Sequence, residues 1–231
     1  MKTNNRNLVA WFWSTRPFSL SASATPVVVG TAIAAEVSAI NWTIFVLAFV
    51  GSIAIQIATN LTDEYSDHRR YGSSGKYLAP HKVIQRGLLS EAAVLAGMAF
   101  TFGTGIVCGL LIVAMTGWPI LLVGLASITV AYFYSAGPKP IGDAWLGEIT
   151  VFVFMGPLMV VSAYYIQTLT ISWAAIGTSI PVGLLVTAIL HCNNLRDIRE
   201  DAETGKRTLA KVMGEPIGRW LYIALLISAY L

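Results

Sequence analysis

Two short acidic runs hold the side chains of this 231-residue chain best suited to chemistry: NLTDEYSD over 60–67 and NNLRDIRED over 193–201. Each sits at the end of an apolar stretch. In the first, Asn60, Asp63, Glu64 and Asp67 fall at i, i+3, i+4 and i+7, which is one face of a helix. In the second, Asn193 or Asn194, Asp197 and Asp201 recur about once per turn. Packing does not require stacked carboxylates, because neighbouring like charges repel. A divalent cation would remove that repulsion. Mg²⁺ takes oxygen ligands, keeps several waters, and is commonly held by one or two carboxylates together with substrate phosphates. Cations able to meet phosphate oxygens accompany the acidic runs: Arg69, Arg70, Lys82, Arg86, Lys139, Arg196, Lys206 and Arg207. Carboxylates for metal beside cations for phosphate point to two Mg²⁺ sites bridged by a diphosphate.

The elements that must carry these residues are membrane helices. The chain is 55% hydrophobic and only 12% charged, with a mean hydropathy of +0.67, whereas soluble domains carry about 25% charge. A helical span needs about 20 apolar residues, and several stretches qualify. The expected fold is all-α, a polytopic transmembrane helical bundle forming one domain over 1–231. Full spans are expected at about 19–36, 42–60, 91–115, 118–135, 148–167 and 173–192, with part of a seventh from Ile217. Trp11, Trp13 and Pro17 mark the entry to the first span. Polar loops fall at 68–88, at 137–147 (GPKPIGDAWLG) and at 193–216. Basic residues gather at Lys2, Arg6 and Arg16, from Arg69 to Arg86, and from Arg196 to Arg219. Such periodic basic loops read as cytoplasmic loops rather than a nucleic-acid patch, and they put both acidic runs and the 137–147 loop on one face. No signal peptide with a cleavage site is seen, so the first span is expected to stay. The last apolar run is too short to cross, which suggests a C-terminally incomplete sequence.

A diphosphate at the mouth of an apolar bundle suggests a greasy remainder. The chemistry that follows is ionisation of an allylic diphosphate, with metal and cations stabilising the leaving group. A buried cavity would protect the carbocation from water, and the faces of Tyr132, Phe133 and Tyr134 could stabilise it. Four segments, STRPFSLSASATPVVVGTA (14–32), NLTDEYSDHRRYG (60–72), YSAGPKPIG (134–142) and NNLRDIREDAETGKRTLA (193–210), resemble the UbiA superfamily of intramembrane prenyltransferases. They are most similar to its 1,4-dihydroxy-2-naphthoate branch, which serves menaquinone synthesis. By that resemblance Asn60, Asp63, Glu64 and Asp67 correspond to the first aspartate-rich motif, and Asn194, Asp197 and Asp201 to the second. Arg16, Arg70, Lys82, Arg86, Lys206 and Arg207 would bind diphosphate, while Tyr134 and Lys139 match the tyrosine and lysine after the fourth helix. The first motif departs from the commonest superfamily form in opening with Asn60-Leu61. The resemblance implies a fold of nine helices around a cavity open to lipid, Mg²⁺ as cofactor, and transfer of a polyprenyl group from polyprenyl diphosphate to the naphthoate with loss of its carboxyl group, giving demethylmenaquinone. It also implies an inner-membrane protein with its site facing the cytoplasm.

Other readings keep the reaction and change the acceptor to 4-hydroxybenzoate, homogentisate, a porphyrin or glycerol phosphate. A cation-coupled transporter would instead put carboxylates near the bilayer midplane, without phosphate-binding Lys and Arg. Cys108 and Cys192 form no disulfide framework, and His68, His81 and His191 lack metal-ligand spacing and are expected to be ordinary polar residues. Gly103, Gly105 and Gly109 are expected to permit close helix packing.

Overall fold

The computed structural model describes residues 2–72 and 80–231 and is helical throughout, with no strand among the described residues. Helix α1 (Lys2–Ser14) meets α2 (Ser21–Ala35) through a 3₁₀ turn at Pro17–Ser19, with a bend of 51°. The bend has a local cause. Pro17 fixes its own φ and disfavours the α-helical region for the residue before it, and Arg16 takes the left-handed region at φ 50°. The side chains of Lys2 and Arg6 lie outside the described residues.

Helix α3 (Trp42–Tyr71) is capped by Asn41, whose side chain accepts from Ile44 N at 3.2 Å. It closes at Gly72, φ 60°. It runs well past residue 60, so the first acidic run lies on the last turns of a continuous helix rather than at its end. Helices α4 (Glu91–Thr116) and α8 (Trp173–Arg196) begin on serine caps, Ser90 accepting from Ala93 N and Ser172 from Ala174 N. Between α4 and α8 come α5 (Pro119–Ser135), α6 (Gly147–Val153), a π turn over Phe154–Leu158, and α7 (Met159–Thr168). Pro157, which has no N–H to donate, sits inside that π turn. Helix α8 stops at Arg196, and Asp197 breaks it from the short α9 (Ile198–Thr204). Helix α10 (Leu209–Ala229) is kinked at Gly214, two residues before Pro216.

By length and apolarity, four helices among the described residues can cross a membrane: Trp42–Arg70, Glu91–Thr116, Gly147–Thr168 and Trp173–Arg196. The bent pair Asn7–Ser19 and Ser21–Ala35 makes a fifth. The expected count of six and a part is thus four or five by this measure. Helix α5 has 17 residues, short of the roughly 20 a span needs.

The bundle is held by helix-helix contact, most extensively α3 against α4, α8 against α10 and α2 against α7. One core cluster joins Ala10, Leu61, Val94 and Met98 with Val83 and Ile84 of the segment before α4. The described part of the expected 68–88 loop is therefore packed against the bundle, while 73–79 lies outside the described residues. Of the three glycines expected at helix contacts, only Gly105 sits at one: a Cβ there would come within 2.5 Å of Ile55. A Cβ on Gly103 or Gly109 would meet nothing within 4 Å. Close backbone approaches lie elsewhere: a Cβ on Gly30 of α2 would stand 2.3 Å from Val160 O on α7, and one on Gly156 of the π turn 2.6 Å from Gly183 Cα on α8.

Candidate active site

The last turns of α3 point Asp63 and Asp67 into a cavity of about 1550 Å³. It is also lined by Asn60, Asn194, Asp197 and Asp201, and by Arg16, Lys82 and Lys206. Residues 139 apart meet here: Lys206 Nζ, beyond the second acidic run, lies 3.0 Å from Asp67 Oδ1 on the first. The fold thus joins the two runs on one mouth. Along α3 the wall continues from Asp67 back to Leu47, about 30 Å at 1.5 Å per residue. Away from the mouth the lining is largely apolar, with Ile106, Ile112, Leu121, Leu125, Phe154 and Met155.

The repulsion expected among the α3 carboxylates is relieved by cations of the chain itself. Arg16 donates to Asp63 Oδ2. Lys82 Nζ lies 2.5 Å from Asp67 Oδ2, with both side chains under 10% exposed. Burial works to lower the pKa of Lys206, but Asp63, Asp67 and Asp143 outweigh it and hold the ammonium above its ordinary range. Burial pushes His81 down to about 2, helped by Arg16 and Lys82, so its imidazole is neutral. Asp143 is raised, first by burial and then by Asp67 and Asp63, against Lys206 and Arg70.

Asn60 is fixed by its amide: Nδ2 donates to Thr15 O at 2.8 Å and to Ser19 Oγ at 3.1 Å. Its carbonyl oxygen faces a more distant Gln56 Nε2 at 3.4 Å. Asp201 accepts from Thr208 Oγ1 at 2.9 Å, and Asp197 accepts two bonds from neighbouring Arg196, each 2.7 Å. Among the described residues no three His, Cys, Asp or Glu side chains converge as a metal-holding group. The donors at the mouth are nonetheless carboxylate and amide oxygens, the hard ligands that Mg²⁺ takes singly or in pairs alongside phosphate and water. The residues present therefore fit that ion.

Several expected site residues stand elsewhere. Glu64 is buried and turned away from the cavity, and its Oε1 accepts from Ile84 N at 2.8 Å. Arg70 clamps the loop after α5, donating to Ser135 O (3.2 Å), Gly137 O (2.6 Å) and Asp143 Oδ2 (2.8 Å). Arg86, Lys139 and Arg207 are exposed and outside the cavity lining. Of the three aromatic residues ending α5, Tyr132 and Phe133 face outward and only Tyr134 lines the cavity. Gly142 and Gly147 pack on Tyr134, for a Cβ on Gly142 would fall 2.8 Å from its ring.

Two residues escaped the sequence reading. Asp143 bridges Arg70 and Lys206, at 2.8 and 3.7 Å, and its position within the 137–147 loop was the available signal. Glu148 lies buried at the start of α6, paired with the fully buried His191 of α8 at 2.9 Å. His191 is therefore more than an ordinary polar residue, and no sequence spacing links partners 43 residues apart.

The description of the UbiA prenyltransferase family matches residues 23–231, nearly the whole chain and both halves of the mouth. The chain belongs to that family. It is accordingly an enzyme that transfers prenyl groups and, with its several apolar helices, a multi-pass membrane protein. It is 34% identical to the 1,4-dihydroxy-2-naphthoate octaprenyltransferase of Mycobacterium tuberculosis over 95% of this chain and 75% of that one. For the enzymes of the same name from Bacillus subtilis and Escherichia coli the identities are 35% and 32%, covering 94% and 95% of this chain and 70% and 73% of theirs. A solved UbiA homolog from Archaeoglobus fulgidus, bound to GPP and Mg²⁺, superposes with a TM-score of 0.74 at 13% identity, over 95% of this chain and 75% of that one. That likeness establishes the UbiA fold. The transporter reading falls with family membership.

Proposed function

We propose that this UbiA enzyme transfers a polyprenyl group from polyprenyl diphosphate to 1,4-dihydroxy-2-naphthoate, with loss of the acceptor's carboxyl group, on the way to demethylmenaquinone. The naphthoate acceptor is supported by relatives of that name, 32–35% identical over nearly the whole chain. The donor is supported by the cavity itself, whose charged mouth continues into a long apolar channel. That form matches a diphosphate head on a hydrocarbon tail.

In this reading residues 1–231 form one transmembrane prenyltransferase domain, with six spans and part of a seventh. It sits in the bilayer of the plasma membrane, with the mouth on the cytoplasmic side where the basic loops gather. Asn60, Asp63, Asp67, Asn194, Asp197 and Asp201 would hold Mg²⁺, which when bound neutralises diphosphate charge as the C–O bond breaks. Arg16, Lys82 and Lys206 exchange their carboxylate partners for diphosphate oxygens. The departing diphosphate takes the bond electrons, the naphthoate ring carbon bonds to the allylic carbon, and loss of carbon dioxide restores the aromatic ring. Tyr134 turns its ring toward the allylic group, and the surrounding apolar wall excludes water.

The test is prenylation in membranes carrying the protein, supplied with polyprenyl diphosphate and each acceptor in turn, with and without a chelator. A chelator-sensitive demethylmenaquinone-type product from the naphthoate is expected. Product from 4-hydroxybenzoate alone would overturn the acceptor and keep the reaction.

A further inference from the structure

Asn194 can serve a metal only through Oδ1, so whatever fixes its amide plane decides whether the ligand is presented. Its Nδ2 donates to Glu148 Oε1 at 3.1 Å. Glu148 is 4% exposed and does not line the cavity, whereas Asn194 does. The acceptor is itself held: His191 Nδ1 lies 2.9 Å from the same Oε1. His191 Nε2 lies 3.0 Å from Gly218 O on α10. A peptide carbonyl only accepts, so Nε2 carries a hydrogen and the ring orientation is set. Gly218 permits this approach, since a Cβ there would fall 2.7 Å from the Leu195 side chain.

We infer that Glu148 and His191 are positioning residues for the second acidic run, holding Asn194 with its amide nitrogen toward α6 and its carbonyl oxygen toward the cavity. This rests on the metal-dependent reading above. Asn60 obeys the same logic on the opposite side, its nitrogen tied to Thr15 O and Ser19 Oγ. Both asparagines thus have their donors tied to acceptors fixed by the fold, leaving oxygen as the atom offered. Outer partners of this kind orient ligands and commonly change metal affinity about 10–100-fold when lost.

Isosteric variants test it. Asn194→Asp adds a carboxylate to the site and, by charge alone, would tighten a cation. The geometry predicts the reverse, because a carboxylate oxygen would replace Nδ2 against Glu148. Mn²⁺ binding to detergent-purified protein, followed by electron paramagnetic resonance, should weaken about 10–100-fold in Asn194→Asp. Adding Glu148→Gln, whose amide can donate to the new carboxylate, should restore most of it. The Mg²⁺ concentration for half-maximal prenyl transfer should move in parallel. Binding as tight as wild type in Asn194→Asp, or no recovery in the double variant, overturns the inference. Wild-type protein that transfers no prenyl group to any acceptor would instead overturn the functional reading, and the Mn²⁺ series separates the two failures.

Discussion

Arg16, Lys82 and Lys206 at the cavity mouth already have carboxylate partners, and this pairing shapes what single substitutions should do. Lys206 shares Asp67 with Lys82 and Asp143 with Arg70, so removing it leaves each carboxylate with another cation. Lys206→Met should therefore cost little stability but lower kcat for prenyl transfer about 10²–10³-fold, the usual loss when one charge-stabilising donor is removed. Initial rates in membranes, set beside the thermal midpoint in detergent, check both halves. Asp67→Asn should cost both quantities, because it leaves Lys82 and Lys206 facing each other beside a neutral amide. His81 adds a pH signature. Its folded pKa of about 2 lies below the ordinary 6.5, so the unfolded chain binds the proton first as pH falls. Its contribution to stability is present above about pH 6.5 and declines below it, by at most about 1.4 kcal/mol per pH unit. Thermal midpoints between pH 7 and 5 should fall less steeply for His81→Gln than for wild type. Equal slopes would refute this.

At the level of elements, the site is set by close approaches that only glycine allows. Gly156 brings the π turn against Gly183 and Ser179 O on α8, and the neighbours are backbone atoms that cannot step aside. Gly156→Ala should cost about 1–3 kcal/mol by overpacking. It should also separate α6 from α8, loosening the Glu148–His191 pair. A lowered thermal midpoint with weaker Mn²⁺ binding is the expected result. Gly142 does the same for Tyr134, where a Cβ would press on the ring and, at 3.0 Å, on the Tyr134 carbonyl oxygen. Arg70 belongs at this level too: a cation on the same helix as the acidic run acts as a clamp on the loop after α5.

For the whole molecule, the defining feature is a continuous cavity from charged mouth to apolar depth. Gly109 and Gly124 both line it, and a Cβ on either would meet nothing within 4 Å. A large side chain there can fill the lumen without moving a helix. Gly124→Phe should raise the preference for a short over a long prenyl diphosphate by about tenfold or more, read as the ratio of kcat/KM for the two donors. An unchanged ratio would mean that the tail does not follow this channel.

Much of this was legible in the amino-acid order, because the determining physics is local. Long apolar runs must be helices that satisfy their own backbone in lipid. The i, i+3, i+4, i+7 spacing put Asn60, Asp63 and Asp67 on one face, and the motif order carried the family. Glu64 shares that face by spacing, yet its carboxylate went to the Ile84 amide, since a helix face does not say what packs against it. The same limit applied to Arg70, Lys139 and Arg207, which read as phosphate ligands by type and neighbourhood. Which cation reaches the mouth depends on contacts between residues far apart in the chain, such as Lys206 with Asp67 and His191 with Glu148. Sequence alone determined the helical class, the family and where the two acidic runs fall in the chain. Tertiary packing decided which carboxylates face the cavity, which cations they hold, and how deep the apolar channel runs.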